Sequence, residues 1–337
     1  MLGFRGIMCT DIKRERGRII IYTETGNARE IAQAASRVFG VTSSSPAVIT
    51  ELLLESIALA ASDLAAETIA DGDTFGIRAR RAGMHDFTSR DIAIKAGDAV
   101  LKRLKPRNLR VNLSNPDLEI FIEARQNNAY VFTEIIQGSG GMPLGTQEKM
   151  VALISGGIDS PVAAWLMMRR GCEIISVYFN NSPYTDETTD KRAFDCINRL
   201  KEWCPGHELK TYEVPHGRNL QEFKAKGGKL TCVLCKRMMY RIAKEVAKRE
   251  GALGIITGSS LGQVASQTTS NLFVENYGLD FPVYHPLISY DKMEVADLGR
   301  KIGTLEFSIQ KASSCSAVPE YPSTHAKLEE VLEVEEQ

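Results

Sequence analysis

The stretch Ser155-Gly156-Gly157-Ile158-Asp159-Ser160 concentrates groups suited to holding a polyanion. It follows the apolar run "MVALI" and leads into "SPVAAWLMMRR", so its glycines fall where a strand turns into a helix. Glycine permits positive φ and close backbone approach. The amides of such a turn, and of the helix's first turn, attract anions. The hydroxyls of Ser155 and Ser160 add donors. Asp159 breaks the pattern, because a carboxylate repels phosphate; it suits Mg²⁺ or a helix N-cap. A bare Gly-Gly pair would be read as packing alone, but the flanking Ser, Asp and Ser favour anion binding.

Three cysteines form a second group. Cys232 and Cys235 make a C-x-x-C in "TCVLCKRMM" at the start of an expected helix, and Cys315 lies in "KASSCSAVPEYP". The helix N-terminus and neighbouring Lys236 and Arg237 are expected to lower thiol pKa and favour thiolate. Three readings compete. The pair is half a structural zinc site, although no second pair or suitably spaced His completes one. It is a redox pair exchanging disulfide with Cys315. Or all three hold an iron–sulfur cluster with one iron left open. Cys9, Cys172, Cys196 and Cys204 read as small buried hydrophobes. The five histidines carry no motif, and His285 before Pro286 reads as structural. Gly140 and Gly145 have Walker A spacing, but Thr146 stands where the Lys belongs and no strand directly precedes them, so this is not a phosphate loop.

The elements that must position these groups follow from pattern. "GRIIIYT" reads as a strand, "NAREIAQAASRVFG" as a helix stopped at Gly40, and the segment from Ala47 to Ala70 as a helix of about six turns. "TFGIRARR", "LRVNL", "LEIFIEA" and "AYVFTEII" read as strands. "FTSRDIAIKAGDAVLKRL" reads as a helix opened by a Thr88/Asp91 capping box. A Gly-rich linker, "QGSGGMPLGTQEK", follows. Strands "MVALI", "EIISVYF", "LKTYEV" and "LGIITG" then alternate with helices "SPVAAWLMMRR", "ETTDKRAFDCINRLKEW" and "CKRMMYRIAKEVAKRE". That alternation implies an α/β fold with a parallel sheet covered on both faces. Its ligands should lie beyond the carboxyl ends of the strands, where Ser155–Ser160 sits.

At 337 residues, 43% apolar and 25% charged, the chain should hold two or three domains. No window reaches membrane-span length, and "MLGFRGIM" lacks the features of a signal peptide. Seven cysteines without an export signal imply a reducing, cytoplasmic setting. Net charge is −1 but uneven: ten basic residues lie between Arg78 and Arg110 against Asp86, Asp91 and Asp98, while the end "KLEEVLEVEEQ" is acidic. On its own the basic stretch would be a solvated helix face.

Four segments carry a family likeness. "SGGIDSPVAA" resembles the PP-loop of ATP pyrophosphatases, and "FGIRARRAGMHDFTSRDIAIKAGDAV" resembles a THUMP RNA-binding domain. "GSGGMPLGT" resembles the linker that joins the two, and "TGSSLGQVASQT" a later signature. Together, from about Gly17 to Pro322, they resemble the ThiI family of tRNA 4-thiouridine synthetases. The likeness implies a THUMP α/β domain and a Rossmann-like PP-loop parallel-sheet domain, preceded by a short ferredoxin-like remnant. The expected boundaries are 1–46 for the remnant, 47–137 for THUMP, 138–148 for the linker, 149–320 for the PP-loop domain and 321–337 for an acidic tail.

The likeness also implies roles. ATP would meet Leu153, Ile154, Tyr178 and Phe179 through adenine, Ser155, Gly156, Gly157, Asp159 and Ser160 through phosphate, and Lys236, Gly258 and Gln267 elsewhere. Lys236 stands where Arg is frequent, which keeps charge and loses bidentate geometry. Cys315 matches a cysteine of sulfur transfer. Archaeal members carry the added C-x-x-C and are linked to a three-cysteine cluster, [4Fe-4S] or [3Fe-4S], which is preferred here to disulfide exchange. Asp159, Cys235 and Cys315 are the catalytic candidates. THUMP likeness turns the basic stretch into a phosphate-binding surface, with Arg78, Arg80, Arg81, Lys102, Arg103, Lys105 and Arg107 as candidates.

The expected reaction adenylates a uridine O4 of tRNA, at position eight in the family, and replaces that oxygen with sulfur. ATP with Mg²⁺ and a sulfur donor, either sulfide or a persulfide-carrying protein, are required. No rhodanese domain is expected, the first domain looks clipped, and a homodimer and a link to thiamine synthesis stay open. Two alternatives remain at this point: a PP-loop enzyme that thiolates a different base or amidates a small molecule, and an inactive THUMP RNA-binding protein.

Overall fold

Thr88 Oγ1 accepts from the Asp91 N–H while the Asp91 carboxylate accepts from the Thr88 N–H at 2.8 Å, and the helix they open runs Ser89–Arg103. This reciprocal cap is the one expected from sequence and satisfies two otherwise unpaired groups at the helix start. The computed structural model describes residues 1–24 and 26–336; Thr25, in the expected remnant, and Gln337, at the end of the expected acidic tail, lie outside the described residues. The chain divides into two units, residues 1–37 with 41–139 and residues 38–40 with 140–337.

The first unit runs β1 (Asp11–Glu15), β2 (Arg18–Tyr22), α1 (Ala28–Ser36), β3 (Ser43–Ser44), β4 (Val48–Thr50), α2 (Leu54–Thr68), β5 (Thr74–Arg81), α3 (Ser89–Arg103), β6 (Arg110–Val111), β7 (Leu118–Ala124), β8 (Ala129–Phe132) and β9 (Ile136–Gln137). Its main sheet has the order β4-β8-β7-β5-β6, with β5 parallel to β6 and β7. Ile57 and Ala61 of α2, Ile92 and Val100 of α3, and Phe75, Ile120 and Val131 of the strands form its core. Alternation along β5 puts Ile77 and Ala79 on the core face and Arg78 and Arg80 on the other. Residues 48–50 pair with β8, Val48 opposite Val131, so the helix expected from Ala47 begins only at Leu54. A pairing partner far along the chain overrides local helical periodicity there. The strands expected at "LRVNL" and "AYVFTEII" shorten to β6 and split into β8 and β9.

The second unit runs β10 (Gln147–Leu153), α4 (Asp159–Arg169), β11 (Cys172–Asn180), α5 (Glu187–Lys201), β12 (Thr211–Pro215), α6 (Gly217–Lys226), α7 (Thr231–Glu250), β13 (Ile255–Ile256), α8 (Thr269–Asn276), β14 (Val283–Tyr284), α9 (Lys292–Ile302), α10 (Leu305–Ser308) and α11 (Leu328–Glu335). The strands form one parallel sheet of order β12-β11-β10-β13-β14. Met150, Ala152 and Ile154 share a core with Trp165 of α4, Ile197 of α5 and Val295 of α9. Val151 and Leu153 share the opposite core with Tyr240, Ala243 and Ala247 of α7. Both faces are therefore covered, and the continuous apolar run of β10 is explained. In the Gly-rich segment, Gly140, Gly141 and Gly145 take positive φ, and Thr146 Oγ1 donates to the Pro143 carbonyl at 2.8 Å, a turn with no phosphate-loop geometry. Among the described residues no helix is long and apolar enough to cross a membrane.

Candidate functional site

β10 is the middle strand, and the turn Ser155–Ile158 leaves its carboxyl end to start α4. Hydroxyls build the turn from within. Ser155 N–H donates to Ser160 Oγ at 2.8 Å, the two hydroxyls are 3.1 Å apart, and Gly157 N–H donates to Ser155 Oγ at 3.2 Å. Two of the amides expected to face a ligand are thus turned to protein hydroxyls. Gly156 N–H and Ile158 N–H meet no protein acceptor among the described residues. The Gly156 carbonyl is drawn the other way, by Arg192 of α5, whose Nε and Nη2 donate to it at 3.1 and 2.6 Å. A Cβ on Gly156 would lie 2.8 Å from Arg192 Cβ, so glycine is required for this grip. Ser308 Oγ donates to the Gly157 carbonyl at 3.2 Å. With its carbonyls held by protein, the turn keeps its electropositive side for a ligand.

Asp159, the first residue of α4, is half-buried, and burial pushes its carboxyl pKa up; the Lys292 ammonium opposes that shift. A half-desolvated carboxylate with only a distant cation suits a divalent ion brought in with a nucleotide. Gly258 packs on the same helix start: a Cβ there would meet Ser160 N at 2.6 Å. Gln267 Oε1 accepts from Ser260 N–H at 3.3 Å, so it shapes the loop after β13. The Ile154 N–H is spent on the Val177 carbonyl, and Tyr178 and Phe179 pair with β12, opposite Glu213 and Val214. The Tyr178 hydroxyl bonds Asp190 of α5, while the Phe179 ring stands edge-on to His216, centroids 5.3 Å apart. Leu153, like Phe179, packs into the core shared with α7.

The three candidate thiols influence one another electrostatically. α7 begins at Thr231, earlier than expected, and carries Cys232 and Cys235 in its first turns. Their acidity runs opposite to the expectation. Burial pushes the Cys235 thiol up to about 12, with Cys232 and Cys315 adding to the rise and Lys236 failing to offset it. Cys232 is raised in the same way, by burial first and then by Cys315. Arg237 is turned away, its Nε and Nη2 on Glu335 of α11 at 2.8 and 2.9 Å. Lys236 Nζ lies 3.6 Å from Glu275 Oε2 and has no hydrogen-bond partner among the described residues. Glu275 is fully enclosed, and burial raises it to about 7 despite the ammonium.

His216 was missed. Its ring is fully buried, burial drives its pKa down to about 4, and Nε2 lies 3.3 Å from Cys235 Sγ. The Cys315 loop is tied to the start of α5: Asp186 N–H donates to Ser313 Oγ at 3.1 Å, and Ser316 N–H to the Tyr184 carbonyl at 2.9 Å. Arg192 Nη1 also donates to the Gln310 carbonyl at 2.9 Å, so one guanidinium joins the turn after β10 to the segment leading to Cys315. No group of three or more His, Cys, Asp or Glu side chains is gathered closely enough for a single metal ion among the described residues. The three thiols nevertheless act on one another electrostatically. Three thiols are the ligand type that iron–sulfur clusters take, whereas a structural zinc needs a fourth close ligand.

Of the basic candidates in the first unit, four are occupied. Arg78 Nε pairs with Glu119 at 2.7 Å, Arg81 donates to the His85 and Phe87 carbonyls, Arg103 pairs with Asp63, and Arg107 donates to the Ala66 and Ile69 carbonyls. Arg80, Lys102 and Lys105 are exposed and without a protein partner among the described residues.

This fold and turn define a PP-loop ATP-pyrophosphatase-type unit in one chain with a THUMP unit. Residues 145–337 match the family model described as thiamine biosynthesis protein (ThiI), and residues 54–134 match the THUMP domain model. The "Probable tRNA sulfurtransferase" of Methanosarcina acetivorans is 53% identical over 98% of this chain and 81% of its own length. That of Halobacterium salinarum is 40% identical over 98% of this chain and 84% of its own. A crystal structure described as a 4-thiouridine synthetase–RNA complex with bound ATP superposes with TM-score 0.87 at 31% identity, covering 96% of this chain and 85% of that one. The chain belongs to the ThiI family, the tRNA sulfurtransferases.

Proposed function

We propose that this chain uses ATP to exchange the 4-oxygen of a tRNA uridine, at position eight, for sulfur. The observation that carries the reading is the turn after β10, whose carbonyls are held inward by Arg192 and Ser308 at the carboxyl end of the middle strand. The likeness to an ATP- and RNA-bound 4-thiouridine synthetase supports nucleotide and tRNA as its ligands.

ATP enters as its magnesium complex, with the diphosphate on Ser155–Ser160 and Asp159 toward the ion. Docking on the first unit offsets the cost of taking the uridine out of its stack. The uridine O4 attacks the α-phosphorus; the new O4–P bond forms as the bond to the diphosphate breaks, and the N3 proton is lost. Loop amides and the Lys292 ammonium oppose the charge that develops on phosphate. Hydrosulfide then adds to C4, the C4–O4 bond breaks, and AMP leaves with the original oxygen. An iron–sulfur cluster held by Cys232, Cys235 and Cys315 would supply an iron with affinity for sulfide. In this reading the three cysteines, with His216 and Lys236, form the sulfur-handling centre.

The test is an anaerobic incubation of the protein with ATP, Mg²⁺, sulfide and unmodified tRNA, followed by nucleoside and nucleotide analysis. 4-Thiouridine and AMP should appear one for one. tRNA binding without AMP would favour the RNA-binding reading instead.

A further inference from the structure

We propose that His216 is a positioning residue for Cys235: its Nε2–H donates a hydrogen bond to the Cys235 sulfur, fixing that sulfur's direction and its electron donation to whatever it binds. The proposal rests on the reading above that Cys232, Cys235 and Cys315 form the sulfur-handling centre.

The donor and acceptor inventory assigns the direction. Asn219 Nδ2 lies 3.1 Å from His216 Nδ1, and an amide nitrogen can only donate. Nδ1 is therefore the acceptor, and the single proton of the neutral ring is on Nε2, 3.3 Å from Cys235 Sγ. The Cys235 S–H points to Met239 Sδ at 3.8 Å, which leaves the sulfur lone pairs to accept from His216.

The ring has little freedom to do otherwise. His216 N–H donates to the Asn180 carbonyl at 2.8 Å, at the end of β11. The next residue, Gly217, lies against the Ser182 carbonyl where any Cβ would collide. Phe179 stands edge-on to the imidazole and Phe223 lies 6.3 Å away, so the ring is fully buried and water does not compete. A donor aimed at a sulfur stabilises the state with more negative charge on that sulfur and raises its reduction potential.

Two measurements on the full chain test this. In the ¹⁵N-labelled metal-free protein, the His216 ring should report a protonated Nε2 and an unprotonated Nδ1; the opposite tautomer overturns the proposal. In iron-and-sulfide-reconstituted protein, His216→Leu should shift the redox equilibrium about tenfold toward the oxidised state, about 59 mV downward for a one-electron couple. His216→Gln, which keeps an N–H donor, should restore most of the shift. Equal potentials in wild type and His216→Leu overturn the proposal. If wild-type protein takes up no iron, the cluster reading falls separately. The comparison then moves to the Cys232–Cys235 disulfide couple, where the Leu variant should again be about tenfold easier to oxidise, about 30 mV, and no difference overturns it.

Discussion

Asp159 puts a carboxylate into the turn proposed to take the diphosphate. Burial raises its pKa, and the exposed Lys292 at the start of α9 supplies the opposing charge. Asp159→Asn keeps the shape and removes the charge; AMP formation should fall tenfold or more while tRNA affinity is unchanged, checked by AMP release and filter binding. Glu275 gives a stability test. Its folded pKa, about 7, lies above the ordinary 4.5, so its relative contribution is full below about 4.5 and lost as pH rises toward 7. His216, lowered from 6.5 to about 4, contributes in the opposite sense: its share is present above 6.5 and lost as pH falls through 4. Glu275→Gln should therefore unmask a rise in stability with pH between about 4 and 6.5, read from denaturant midpoints across pH. A variant with the wild-type profile would refute the assignment. The C-x-x-C was legible in sequence, but its acidity was not. Charge at a helix start argues for thiolate, whereas burial and two neighbouring thiols win in the folded chain.

Elements held by local chemistry were readable before folding: the Thr88/Asp91 cap, the alternating strands and helices, and the glycine turn after an apolar strand. Elements held by distant partners were not. β4 exists because Val48 meets Val131, and the Cys315 loop is shaped by Asp186 and Tyr184. Arg192, His216 and Lys292 escaped for the same reason, since Arg192 meets Gly156 across 36 positions and His216 meets Cys235 across 19. No periodicity encodes such meetings. Arg192 ties α5 to the turn and to the Cys315 segment, so Arg192→Ala should cost about 1–3 kcal/mol in stability and slow AMP formation as well. Arg192→Lys should recover little, because a single ammonium cannot span the Gly156 and Gln310 carbonyls. Full activity in either variant would remove Arg192 from the account.

Taken whole, the molecule has a net charge of −1, with a basic stretch between Arg78 and Arg110 and an acidic end. Four of the crowded arginines also have protein partners: Arg78, Arg81, Arg103 and Arg107. Among the candidates, Arg80, Lys102 and Lys105 are exposed without a protein partner among the described residues, and the proposed reading gives them the phosphate contacts. Reversing all three to Glu should weaken tRNA binding and lower its salt slope by about two to three, while Arg107→Ala should chiefly destabilise the first unit. The proposed reaction passes AMP to the uridine oxygen. Single-turnover reaction of tRNA carrying ¹⁸O at the uridine O4 examines that transfer directly. The label should appear in the phosphate of AMP, one atom for each 4-thiouridine formed. Label released to water, or AMP without ¹⁸O, would contradict it.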